Sequence, residues 1–253
     1  MRKKKRGEVG ECVYCGKVGP ITMDHVPPRL LFPDPKPALI TVPSCLKCNN
    51  SASKDDEYFR LVVSLREDVG GQADMSGVLA SVIRSAQKAN APGLRATINN
   101  LIQPKARFSE AGLFLGMHPA VTTDLVRLGR VASRIVTGLF FHETEKRLGA
   151  SHMAQACLRE GFDEAEFVRG LNVIVRSFNP QPKTVGSVFK YWVGFPKPED
   201  PNFSVWLLLF YDQVLFLCQT VQREVGMATE RKWEIAKSVK RPRHYSPDRK
   251  SVV

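Results

Sequence analysis

Residues 12–50 read CVYCGKVGPITMDHVPPRLLFPDPKPALITVPSCLKCNN. Two Cys-x-x-Cys pairs, Cys12/Cys15 and Cys45/Cys48, bracket an Asp24-His25 dipeptide, and Asn49 follows the last cysteine directly. Four thiolates in two such pairs suit one tetrahedral zinc ion, because each pair sits where a tight turn aims both sulfurs at one point. Four of the six cysteines fall in this pattern, so a shared metal explains them better than chance burial. Zinc alone makes a structural clip. Asp24 and His25 add a carboxylate and an imidazole that a clip does not need.

Outward from the cysteines, Pro20 to Asp24 reads as a short strand. Five prolines (Pro27, Pro28, Pro33, Pro35, Pro37) make the next stretch an ordered loop, since proline fixes φ and supplies no N–H. Ala38 to Val42 reads as a second strand. A helix is expected from Cys45, with Ser44 as its N-cap, through Tyr58, Phe59, Leu61, Val62 and Leu65 at helical spacing. Neighbouring strand side chains alternate, so Asp24 and His25 point the same way only if the strand ends or bends there.

With those residues in place, the stretch 10–66 resembles the HNH endonuclease family, the ββα-metal or His-Me finger nucleases. The matching positions are Cys12, Cys15, Asp24, His25, Cys45, Cys48 and Asn49. One departure stands out: Ile40-Thr41 occupies the place where many members carry an Asn before the second cysteine pair. The resemblance implies a treble-clef-like zinc module that hydrolyses nucleic-acid phosphodiester bonds, with DNA as the expected partner. His25 would be the general base, and Asp24 and Asn49 would hold a catalytic Mg²⁺ or Mn²⁺. The chemistry agrees with those roles: carboxylate and amide oxygens are hard ligands. A neutral imidazole is a competent base near pH 7. Arg29, Lys47 and Lys54 are candidate phosphate contacts. Asp55, Asp56 and Glu57 lie early in a helix, where the dipole favours them, and read as structural. The alternative function is a non-catalytic zinc module that binds nucleic acid or a protein.

The net charge of +12 is concentrated at the ends of the sequence. Residues 2–6 are all Arg or Lys, and residues 223–253 hold nine Lys and Arg against four Asp and Glu. Such basic segments favour a polyanion, nucleic acid first. No apolar run is long enough for a membrane span, no secretory signal is visible, and the cysteine pattern fits a reducing, cytoplasmic setting.

The rest of the chain predicts an α+β fold. Helices are expected over 76–90, 122–148 and 163–177, with Pro92-Gly93 stopping the first. Residues 94–103 are ambiguous, and 106–117 reads as one strand or a pair. Three strands over 185–195, 203–211 and 214–221 predict an antiparallel meander, on which the long helix would pack. The expected organisation is a basic arm (1–9), the zinc module (10–70), an α+β domain (71–225) and a basic tail (226–253). Tyr191, Trp192 and Trp206 read as core or cross-strand pairs rather than base-stacking residues.

Overall fold

The computed structural model describes residues 8–228, except 67, 70–72, 89–91 and 110, and except 160–180 apart from 165, 168, 171 and 175. The basic run 2–6, nearly all of the tail and most of the helix expected over 163–177 lie outside the described residues. The architecture is α+β, with five helices and three antiparallel sheets among the described residues.

The first sheet has the order β1 (Val9–Glu11), β2 (Val18–Val26), β3 (Ile40–Cys45). The proline-rich loop joins β2 to β3 and carries a short 3-10 turn at Arg29–Leu31. α1 (Leu46–Ser51) follows β3 without a gap, and α2 (Ser53–Ser64) follows α1. Two expectations change here. The N-cap is Cys45, whose sulfur accepts the Cys48 N–H at 3.4 Å, while Ser44 is a buried strand residue. The single helix is two, hinged at Ala52, whose carbonyl accepts the N–H groups of both Asp55 and Asp56 at 2.9 Å.

α3 (Ala73–Gln87) begins three residues earlier than the apolar stripe predicts. Pro92 opens α4 (Pro92–Leu101) instead of closing α3, as its fixed φ and missing N–H allow at a first helical position. β4 (Ile102–Phe108) and β5 (Phe114–Val121) then form an exposed two-stranded ribbon. α5 (Leu125–Thr144) is capped by Asp124, whose Oδ1 accepts from the N–H groups of Val126 and Arg127. It ends four residues before Leu148, with Glu145 in the left-handed region at φ 55°.

The second large sheet has the order β6 (His152–Leu158), β10 (Val214–Gln222), β9 (Ser204–Phe210), β8 (Phe189–Gly194), β7 (Lys183–Val185). The expected meander is β8–β9–β10, and the sequence reading missed the two edge strands. The β9–β10 turn lacks glycine, yet Tyr211 and Asp212 both take positive φ, 50° and 55°, as a tight primed hairpin turn requires. α5 packs on β6 and β10 with one side and on α2 with another.

One cluster of buried side chains runs from Val13, Val26 and Val42 through α2 and α5 to Trp206, Phe210 and Phe216. Phe59 of α2 stacks on Phe216 at 5.7 Å and meets Phe210 edge-on at 5.2 Å. The residues on either side of position 70 therefore share a core. Tyr191 and Trp206 are buried and stacked on each other at 6.3 Å, as read from the sequence.

Candidate functional site

The sulfurs of Cys12, Cys15, Cys45 and Cys48 lie within 4.8 Å of one another, and Cys15 and Cys45 are 3.8 Å apart. A tetrahedron with Zn–S bonds of about 2.3 Å has edges of about 3.8 Å, so the four are positioned for one metal ion. Local backbone builds the site. Gly16, at φ 72°, closes the first turn by donating its N–H to the Cys12 carbonyl at 2.8 Å. The start of α1 turns Cys48 back toward Cys45. Burial opposes ionisation of Cys12, but backbone N–H donors outweigh it and lower its pKa to about 6, whereas burial and the neighbouring thiols raise that of Cys48.

The same clip positions β2. Its ladder pairs Asp24 with Val42 and His25 with Thr41, and continues to Val26. The strand therefore does not end at the Asp24-His25 dipeptide, as expected, but one residue later. Both residues nonetheless line one cleft of about 530 Å³, which wraps the end of the strand.

Asp24 is part of a tight cluster. Its Oδ2 accepts the Tyr14 hydroxyl at 2.6 Å and Arg134 Nη2 at 2.7 Å, and the Arg134 guanidinium lies 3.8 Å over the Tyr14 ring. Asn49 does not bond to Asp24. Its amide Nδ2 donates to Thr22 Oγ1 at 2.9 Å, two residues back along the same face of β2. Asn49 is not among the residues that line the cleft.

Asp56 of α2 lines the cleft with Asp24 and His25, and its Oδ1 is buried with no hydrogen-bond partner. Burial pushes its pKa up to about 7; Asp24 and Asp55 add to the rise and Arg134 opposes it. His25 moves the other way: burial, then Arg29, lower its pKa, against the pull of Asp24. The imidazole is thereby biased toward its neutral, proton-accepting form at pH 7.

Of the candidate phosphate contacts, Arg29 lines the cleft, Lys47 is exposed on α1, and Lys54 lines a separate hollow with Tyr58 and Arg127. Asp55 is structural as expected, holding Arg127 at 2.8 Å and Arg130 at 3.1 Å. Tyr14, Asp56, Arg60, Arg84 and Arg134 are the site residues that sequence reasoning missed. Adjacent helical positions differ by about 100° in direction, and no local signal says which of Asp55 and Asp56 turns inward.

No protein-family model, curated protein or solved structure matches this chain.

Proposed function

We propose that the protein is a metal-dependent endonuclease that hydrolyses nucleic-acid phosphodiester bonds, with His25 as general base and a structural zinc on the four cysteines. The observation that carries this reading is the meeting of His25, Asp24 and Asp56 in the lining of one cleft, with His25 and Asp24 on the strand that pairs with Cys45 through Ile21. Asp24 and Asp56 offer carboxylate oxygens in the cleft, hard donors that suit a divalent ion, and the HNH resemblance adds Asn49. Mg²⁺ or Mn²⁺ held there would supply positive charge for the developing phosphorane and the leaving oxygen.

The chain's own residues supply the rest. His25 accepts a proton from the attacking water, and its lowered pKa keeps the imidazole free to do so. Tyr14 and Arg134 hold the Asp24 carboxylate in one orientation. Arg29 adds positive charge next to His25 for the incoming phosphate. The strand–strand–helix order around the cysteines supports the resemblance, and Thr41, near the place of the usual Asn, pairs with His25 in the ladder.

Incubation of purified protein with plasmid and Mg²⁺ or Mn²⁺ tests the proposal. His25→Ala is expected to slow cleavage by on the order of 10²–10⁴ while DNA binding persists. Equal rates for the two proteins would sink it.

A second reading has its own observation. Asp24 Oδ2 already serves Tyr14 and Arg134, which suits a structural anchor between β2 and α5. On that reading the protein is a metal-clipped module that binds nucleic acid without cutting it. Retention of intact DNA in the presence of Mn²⁺ distinguishes the two.

A further inference from the structure

The cleft beside His25 holds more positive charge than water activation requires. Arg60 of α2 is 9% exposed, and its Nε has no hydrogen-bond partner. Its carboxylate neighbour, Glu57, is 3.8 Å from Nη2, too far for a good hydrogen bond. Burial depresses the Arg60 pKa. A buried guanidinium with so little compensation is costly unless something else pairs with it.

Arg60 is not alone. Arg29 from the 3-10 turn and Arg84 from α3 line the same cleft. Neither forms an ion pair with another described residue. No acidic residue lining the cleft forms an ion pair with any of the three. Asp24 serves Tyr14 and Arg134, and Asp34 serves Lys36 at 3.0 Å. Asp56 forms no ion pair with a described residue, and its Oδ1 has no hydrogen-bond partner. Three separate elements thus bring three arginines to one cavity, and the long Arg60–Glu57 contact is the one ion pair that any of them makes among the described residues.

We propose that Arg60, Arg84 and Arg29 form a phosphate oxyanion site, taken by a backbone phosphate of nucleic acid next to the one facing His25. The planar, forked guanidinium matches two phosphate oxygens at once, which a lysine cannot do. The identity of this ligand rests on the nuclease reading, whereas the oxyanion chemistry does not. Arg60 is a binding and positioning residue and takes no part in proton transfer.

The test uses the full-length, metal-loaded protein in the His25→Ala background, without added Mg²⁺ or Mn²⁺ and without chelator. A fluorescein-labelled single-stranded 12-mer is titrated at several salt concentrations. Arg60→Gln and Arg84→Gln are each expected to weaken binding by on the order of tenfold. Each should also flatten the slope of log K against log salt by about 0.7. Arg84 is exposed on α3, so its variant folds even if loss of buried Arg60 disturbs the core. Unchanged affinity and slope for Arg84→Gln, together with unchanged binding for a folded Arg60→Gln, overturns the site even if the parent cleaves DNA. Retained arginine-dependent binding by a parent that never cleaves leaves the site standing and removes the nuclease. In a second arm, inorganic phosphate replaces the 12-mer and thermal melting is read. An arginine-dependent rise in Tm with phosphate, but no binding of the 12-mer, overturns the backbone assignment in favour of a free phosphate ligand.

Discussion

Asp55 and Asp56 are neighbours with the same side chain and opposite circumstances. Asp55 faces α5, where Arg127 and Arg130 outweigh the effect of burial and hold its pKa down. Asp56 faces the cleft, and burial there raises its pKa to about 7. The consequence for stability follows from linkage. An unfolded aspartate ionises near pH 3.9, so between that pH and about 7 the unfolded chain sheds a proton that the folded chain keeps. Asp56 therefore favours the fold at low pH, and this contribution is lost as pH rises through 7. Without divalent ions, wild-type stability is expected to fall relative to Asp56→Asn between pH 4 and pH 7, by on the order of 3 kcal/mol, and to stay level above. Urea melts of both proteins across that range check it. Parallel curves would mean that the Asp56 carboxyl is not perturbed.

At the scale of elements, the site depends on how closely α5 approaches β2. Gly138 lies in the middle of α5, and a Cβ there would sit 2.6 Å from Val26 Cγ2. Val26 is the last residue of β2, one past His25, and is buried. It cannot swing aside into solvent. Arg134, one turn earlier on α5, reaches Asp24 from the same helix. Gly138→Ala gains helix propensity but overpacks this contact, and overpacking costs about 1–3 kcal/mol. The expected result is a net loss of stability together with a larger loss of cleavage, because the helix carrying Arg134 is pushed off the strand carrying Asp24 and His25. Thermal melting and plasmid cleavage read the two effects separately. A stabilised variant with full activity would show that the approach is not needed.

For the whole molecule, the N-terminal sheet is a support as well as a site. Val13, next to Cys12, belongs to the same buried cluster as Phe59, Phe210 and Phe216. The Tyr58 hydroxyl accepts the Asp124 N–H at 2.7 Å, and Arg147 bonds to Glu11 at 2.8 Å across the first cysteine turn. Loss of a metal held by the four cysteines is therefore expected to reach the far sheet. Zinc in comparable sites supplies roughly 10–16 kcal/mol of apparent binding energy. Cys45→Ser is expected to abolish stoichiometric zinc in elemental analysis and to lower the melting temperature of the whole chain in one transition, including the near-ultraviolet signal of Trp206. A Trp206 signal that melts as in the parent would show that the two sheets unfold independently. No helix among the described residues is long and apolar enough to cross a membrane.

What the sequence by itself determined is local. The four-cysteine cluster was legible because each pair lies within one turn, and turn geometry follows from a few adjacent residues. The two strands flanking the proline-rich loop were read at nearly their places, but the cap of α1 was read one residue early, at Ser44 instead of Cys45. The β8–β9–β10 meander followed from alternating aromatic and β-branched residues. Tertiary structure decided the rest. The five-stranded sheet gains β6 from more than fifty residues before its partner β10, a pairing that no nearby residue announces. The cleft joins the end of β2, the 3-10 turn, α2 and α3. Its key members, Asp56 and Arg60, look like ordinary polar residues of an amphipathic helix. Their inward direction depends on which side of α2 the core occupies, and α5 and the far sheet set that. Arg134 reaches Asp24 across 110 positions of chain, so only the folded molecule reveals that the carboxylate at the centre of the proposed site already has a partner.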